Sequence, residues 1–133
     1  MVLYVDSSAL LKRYIAEHDS DVADSFMAAD PVLATARITE VEVRRTLARL
    51  LDDEAASAAK RQFLVDLDAF ALVAVDATTC NDAARIGEST QCRSLDAIHI
   101  AAAQRAGAST TFLTFDVRQA KAARSVGLNV VGT

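Results

Sequence analysis

The sequence predicts an α/β domain: a mostly parallel sheet of about five strands with helices covering both faces. Three observations carry that expectation. Short β-type runs alternate with helical stretches along the chain, which calls for crossover connections rather than hairpins. The chain has 133 residues, 52% of them apolar, enough to bury a core in one domain and too apolar for a disordered chain. Gly107 and Gly127 fall where the helices of such units end.

The first run, Val2–Val5, is apolar and stops abruptly at Asp6, with Ser7 and Ser8 opening a helix expected over Ser7–Glu17. A second helix, Asp21–Ala29, precedes a strand at Val32–Thr35 and the only proline, Pro31. Helices over Thr39–Asp52 and Ala55–Phe70 follow, then a strand at Leu72–Val75 and helices over Thr79–Glu88 and Leu95–Arg105. The strand Thr111–Thr114, the helix Arg118–Val126 and the strand Asn129–Val131 complete the order. The last three strands are rich in Val, Thr or Phe and too short to be helices. No repeat, low-complexity tract or linker interrupts them.

Several function classes find no support. No basic leader and no uncharged apolar run near twenty residues occurs, so neither secretion nor a membrane span is expected. Cys80 and Cys92 lie apart without a CxxC spacing or a nearby histidine and read as reduced thiols, which points to the cytoplasm. GxxxxGK[ST], GxGxxG and GxSxG are all absent. A net charge of −4 argues weakly against a nucleic-acid partner, unless acids are gathered in one metal site. Local basic clusters do occur, at Lys12-Arg13, Arg37, Arg44-Arg45-Arg49 and Lys60-Arg61.

The acids are the informative residues. In open parallel sheets, ligands bind beyond the carboxyl ends of the strands, where Asp6 would stand. TTFLTFD repeats the design, so that Asp116 would follow a second strand and open a helix. Taken singly, each is accounted for as a helix N-cap worth about 1 kcal/mol. Asp96, in RSLDAIHIAAAQRAG, would occupy the second position of a helix capped by Ser94 and buried nearly all round. A carboxylate at the head of such a helix needs a partner.

In RITEVEVRRTLARLL, Val43, Leu47, Leu50 and Leu51 form the apolar stripe; Glu40 falls toward it and Glu42 at its border, so either could turn inward. His99, inside AIHIAAA, reads as a satisfied core histidine, and His18 as solvated, which disfavours cleavage by a histidine pair. Three or four carboxylates brought together would repel strongly without a cation. Magnesium or manganese suits such an all-oxygen site and phosphodiester hydrolysis.

VDSSALLKRY, VEVRRTL, SLDAIHIAAA and TFD with the following Gly127-Leu128 together resemble the PIN-domain family, most closely its VapC-type toxins. The four motifs span Val5 to Leu128, each weak alone and specific in this order. The resemblance implies a three-layer α/β/α domain and Mg²⁺-dependent endoribonuclease activity, with Mn²⁺ as a substitute. It implies an RNA substrate, a cognate antitoxin as inhibitor, and a homodimer. By position it assigns Asp6, Glu42, Asp96 and Asp116 as catalytic and metal-binding, with Thr114 and Ser7 as supporting hydroxyls. It thereby selects Glu42 over Glu40. Ala36 stands where many relatives carry serine, which removes one supporting contact.

The rival from another class is a receiver-type signalling module. It would need paired acids after the first strand, with Asp76 as acceptor and a lysine after the last strand. Ser7 rather than an acid follows Asp6, and the last strand ends VVGT without lysine. A dehalogenase-type phosphatase would need an acid where Ser8 stands, and a catalytically dead relative would have lost an acid.

Overall fold

The computed structural model describes residues 1–133. In chain order it contains β1 (Val2–Val5), α1 (Ser7–Leu11), α2 (Ser20–Ala29), β2 (Val32–Ala36), α3 (Ile38–Leu50) and α4 (Asp53–Leu67). β3 (Ala71–Val73), α5 (Ala77–Thr90), α6 (Ser94–Arg105), β4 (Thr110–Leu113), α7 (Val117–Ser125) and β5 (Asn129–Val131) follow. Each expected strand and helix is present.

All five strands are parallel, in the order β3-β2-β1-β4-β5. The central strand is paired on both sides, with Tyr4 opposite Ala34 and Phe112. Because side chains alternate along a strand, β1 serves two cores. Leu3 and Val5 pack with Leu10, Met27, Val43, Leu47 and Phe63 beneath α1–α4. Tyr4 packs with Phe112, Ile100 and the alanines of α6 beneath α5–α7. Burial on both faces explains why VLYV is continuously apolar. Ala101, Ala102 and Ala103 are fully buried, so little more than methyl groups separates α6 from its neighbours.

This order decides where a ligand can sit. From β1 the chain builds outward through β2 and β3, then returns to the other side of β1 for β4 and β5. The direction reverses between β1 and β4, where α1 and α7 leave on opposite faces and a crevice opens beyond the strand ends. A receiver-type sheet runs 2-1-3-4-5 instead. The topology thus sets the signalling rival aside. Asp76, its would-be acceptor, merely caps α5 and pairs with Arg105.

Three local expectations are corrected. The first helix ends at Leu11 rather than Glu17, and the next residues form tighter turns, with Arg13 N–H on the Leu10 carbonyl and Tyr14 N–H on that of Leu11. The physical reason is Lys12: its buried ammonium meets Glu17 at 2.8 Å and Asp19 at 2.7 Å, which requires the chain to turn back. The cap of α6 is Arg93, not Ser94, which puts Asp96 third in the helix rather than second. Leu50, assigned to the stripe of α3, is exposed at its end, and Thr39, Val43 and Leu47 are the buried face. No helix is long and apolar enough to cross a membrane, and both cysteines are free thiols.

Candidate active site at the carboxyl edge of the sheet

Asp6 ends β1 and caps α1, accepting from the Ala9 N–H at 2.8 Å and the Ser8 hydroxyl at 2.9 Å. It is 4% exposed. Burial pushes its carboxyl above the ordinary value and the Glu42 charge adds to the rise, while His99, the Ala9 N–H and Ser8 oppose it. Asp116, beyond the end of β4, caps α7 through the N–H groups of Arg118 and Gln119. One hydroxyl joins the two strand tips: Thr114 Oγ1 lies 3.4 Å from Asp6 Oδ2 and accepts from the Asp116 N–H at 3.1 Å. Its hydrogen goes to Gln119 Oε1 at 2.7 Å, a buried partner that the strand-and-cap reading missed.

Asp96, at the head of α6, and Asp116 share one cation. Arg93 reaches Asp96 at 3.0 Å and Asp116 at 3.1 Å from one guanidinium. Both carboxylates hold it firmly in its charged form, Asp96 most strongly. Arg93 lay outside the basic clusters the sequence suggested. A lone arginine ahead of SLDA gives no signal until α6 and α7 are packed side by side.

Glu42 stands across a small recess from these groups, lined by Glu42, Arg93, Ser94, Leu95 and Asp96. The Ser7 hydroxyl donates to Glu42 Oε1 at 2.6 Å, and His99 Nε2 lies 2.7 Å from the same oxygen. A carboxylate only accepts, so Nε2 carries a hydrogen. Nδ1 shares a hydrogen with the Tyr4 hydroxyl at 2.7 Å. Burial alone would raise the Glu42 carboxyl; the hydrogen bond and charge of His99, with Ser7, outweigh it and hold it below the ordinary carboxylate value. Glu40 points elsewhere, pairing with Arg44 at 2.9 Å on the exposed side of α3. The apolar stripe alone could not separate the two glutamates, because what turns Glu42 inward lies on α1 and α6. His99 is indeed a buried, satisfied histidine, and its partner is the glutamate.

The residue after β5 passes close to this site. Gly132 has φ +100, and a Cβ there would run into the Thr114 carbonyl. Only glycine lets the residue after β5 pass so close to the tip of β4.

Four elements thus deliver Asp6, Glu42, Asp96 and Asp116 to one edge, linked through Thr114, Arg93 and the recess. The PIN-domain family profile matches residues 3–125. This chain belongs to the PIN-domain family. Ribonuclease VapC46 of Mycobacterium tuberculosis is 34% identical over 130 residues, which cover 97% of this chain and 95% of that protein. Among solved structures, the Mycobacterium tuberculosis toxin VapC20, described as cleaving the sarcin-ricin loop, superposes with a TM-score of 0.74. It shares 20% identity, with 98% of each chain covered. A toxin–antitoxin complex from Klebsiella pneumoniae gives 0.72 at 17% identity, covering 98% of this chain and 96% of that one. This PIN domain is a nuclease, so the weak inference from net charge is corrected: acids gathered at one edge lower the whole-chain sum without describing the rest of the surface.

PIN-domain ribonucleases depend on a divalent metal, and the donor set here can be tested against that. Asp6, Glu42, Asp96 and Asp116 offer only carboxylate oxygens, the hard donors that an oxygen-seeking divalent cation takes. No three acidic, histidine or cysteine side chains close into a ready cage. Arg93 instead draws Asp96 and Asp116 to a single positive charge, the demand a cation would meet. The residues fit the group.

Proposed function

We propose that this PIN domain is the cytoplasmic toxin of a toxin–antitoxin pair, an endoribonuclease that hydrolyses RNA phosphodiester bonds with Mg²⁺, or Mn²⁺ in its place. Asp6, Asp96 and Asp116 hold the metal, and Glu42 completes the set. The observation that carries this reading is the convergence of four carboxylates from β1, α3, α6 and the end of β4 on the crevice where the strand order reverses.

The residues divide the work by environment. Asp6 is buried and fixed by two donors, so it forms the floor of the site. Ser7 and His99 lock Glu42 in one orientation and keep it ionised, an acceptor facing the recess. Thr114 spaces Asp6 from Asp116. Once bound, the metal supplies an activated water and neutralises charge on the phosphate. Arg93, which pairs with Asp96 and Asp116 at the mouth of the recess, would stand within reach of a phosphate held there and could donate to it. An antitoxin fits the same chemistry: a basic side chain laid on Asp96 and Asp116 would repeat, from outside, the contact Arg93 makes from within.

Purified protein should cut single-stranded RNA internally with Mg²⁺ or Mn²⁺ and lose that activity in EDTA. Attack by water on phosphorus, with the P–O3′ bond breaking and the 3′-oxygen taking up a proton, leaves 5′-phosphate and 3′-hydroxyl ends. Products ending in 2′,3′-cyclic phosphate would exclude this mechanism.

A further inference from the structure

A carboxylate cluster repels the polyanion it must cleave, so the substrate needs positive charge beside the site. The structure holds such a place. A cleft of about 470 Å³ runs between the C-terminal end of α5 and the face of α7, and its walls include Arg93 and Asp96, so it opens directly onto the carboxylates. Two further cations line it, Arg118 and Lys121, three residues apart on one face of α7. Both are exposed and neither forms an ion pair, whereas Arg85, Arg93 and Arg105 are each matched to an aspartate and Arg124, further along α7 and outside the cleft, donates to the Thr133 backbone oxygen.

We propose that this cleft carries the backbone of the RNA strand past the carboxylate centre, with Arg118 and Lys121 binding phosphates that flank the scissile one. The proposal rests on the ribonuclease reading and adds the path of the substrate.

The other polar groups of the cleft say what kind of contact it makes. Ser89 and Thr90 donate to the Ile86 carbonyl, Ser125 to that of Ala122, and the Gln91 side-chain amide to that of Glu88. Those hydrogens are committed to backbone. No aromatic side chain lines the cleft on which a base could stack. Apart from the Gln91 amide, what remains free is the charge of the two cations, which engages phosphates and carries no sequence information. The cleft therefore sets affinity and register, and leaves base selection to other surfaces.

The test is steady-state cleavage of labelled single-stranded RNAs of unrelated sequence across a KCl series at fixed Mg²⁺. Wild type is compared with Arg118→Gln/Lys121→Gln and with a control of equal charge, Lys60→Gln/Arg61→Gln on α4. Each phosphate contact to a single strand contributes about 0.7 to the slope of log affinity against log salt. The cleft variant should therefore raise KM at low salt, flatten its salt slope by about 1.4 and do so alike for every RNA. The control should track wild type. An unchanged slope, an equal effect in the control, or a loss confined to one RNA sequence would overturn the proposal. So would variants that still cleave as wild type does but lose affinity for polyglutamate, which would give the cleft to an acidic protein segment. In each of those cases wild type still cleaves and the ribonuclease reading stands. A wild-type protein that cuts no RNA overturns both.

Discussion

Replacing Tyr4 with phenylalanine isolates the buried chain that orients Glu42. Tyr4 is fully buried and His99 is 2% exposed. The phenylalanine ring would keep its stack on Phe112, now at 5.4 Å between centroids, and its edge contact with the His99 ring at 5.9 Å. The substitution thus removes little apolar contact and one hydrogen bond, the 2.7 Å link to His99 Nδ1. A buried ring nitrogen left without a partner costs about 1–3 kcal/mol. For a chain of this length that corresponds to a melting temperature lower by roughly 4–12 °C. In urea the midpoint should fall while the slope of the transition stays the same.

The functional consequence follows from the same bond. His99 holds Glu42 at 2.7 Å, and with Nδ1 released the ring is free to tilt or change tautomer. Partners one step removed from a metal-binding carboxylate typically contribute about 10–100-fold in activity or metal affinity. Tyr4 acts one step further out, through His99, so cleavage by Tyr4→Phe, assayed well below its melting transition, should drop by about 10-fold, the low end of that range. The metal concentration for half-maximal activity should rise. Phe112→Leu serves as the control: it lowers stability through packing and should leave cleavage by the folded protein near wild type. A Tyr4→Phe protein within about 0.5 kcal/mol of wild type, cleaving at the wild-type rate, would refute the reasoning, since surface-like neutrality is what an idle hydroxyl gives.

Two further outcomes test individual acids. Glu42→Gln should abolish RNA cleavage with the fold intact by circular dichroism, whereas Glu40→Gln, which loses only an exposed pair with Arg44, should keep most of it; the reverse pattern would place the wrong glutamate in the site. Asp6 gives a pH signature. Its folded pKa is raised, so its contribution is fully favourable below the unfolded value near 3.8 and is lost as pH rises through the folded value. Asparagine caps a helix as well as aspartate does, so Asp6→Asn should stabilise the metal-free protein at pH 7 by about 0.5–2 kcal/mol. That gain should vanish in acid, and Mn²⁺ should raise the melting temperature of wild type but not of the variant. A gain that is independent of pH would show that the charge on Asp6 is not what costs stability.

How much of this was legible in the sequence differs from residue to residue. Strand tips and caps are written locally: an apolar run, an aspartate and a helix-forming stretch identify Asp6 and Asp116 as residues where β1 and β4 end, because strand burial and helix capping are decided within a few positions. The alternation of elements likewise fixed an α/β class with a parallel sheet. Strand order is not local. That the chain returns across β1 to place β4 beside it, and so opens the crevice, depends on which sheet edges bury the most apolar surface.

The same limit explains Glu42 and Arg93. Helical periodicity left two glutamates facing a broad stripe, and only Ser7 and His99, 35 and 57 residues distant in sequence, turn one of them inward. Arg93 shows nothing by composition or spacing; it becomes the cation between two carboxylates because α6 and α7 start side by side. Propensity, capping and period act over one or two turns and were read from the chain alone. Ion pairs, the histidine bridge and the unpaired cations of the cleft join elements that only the packed sheet brings within a few ångströms, so the tertiary structure decided them.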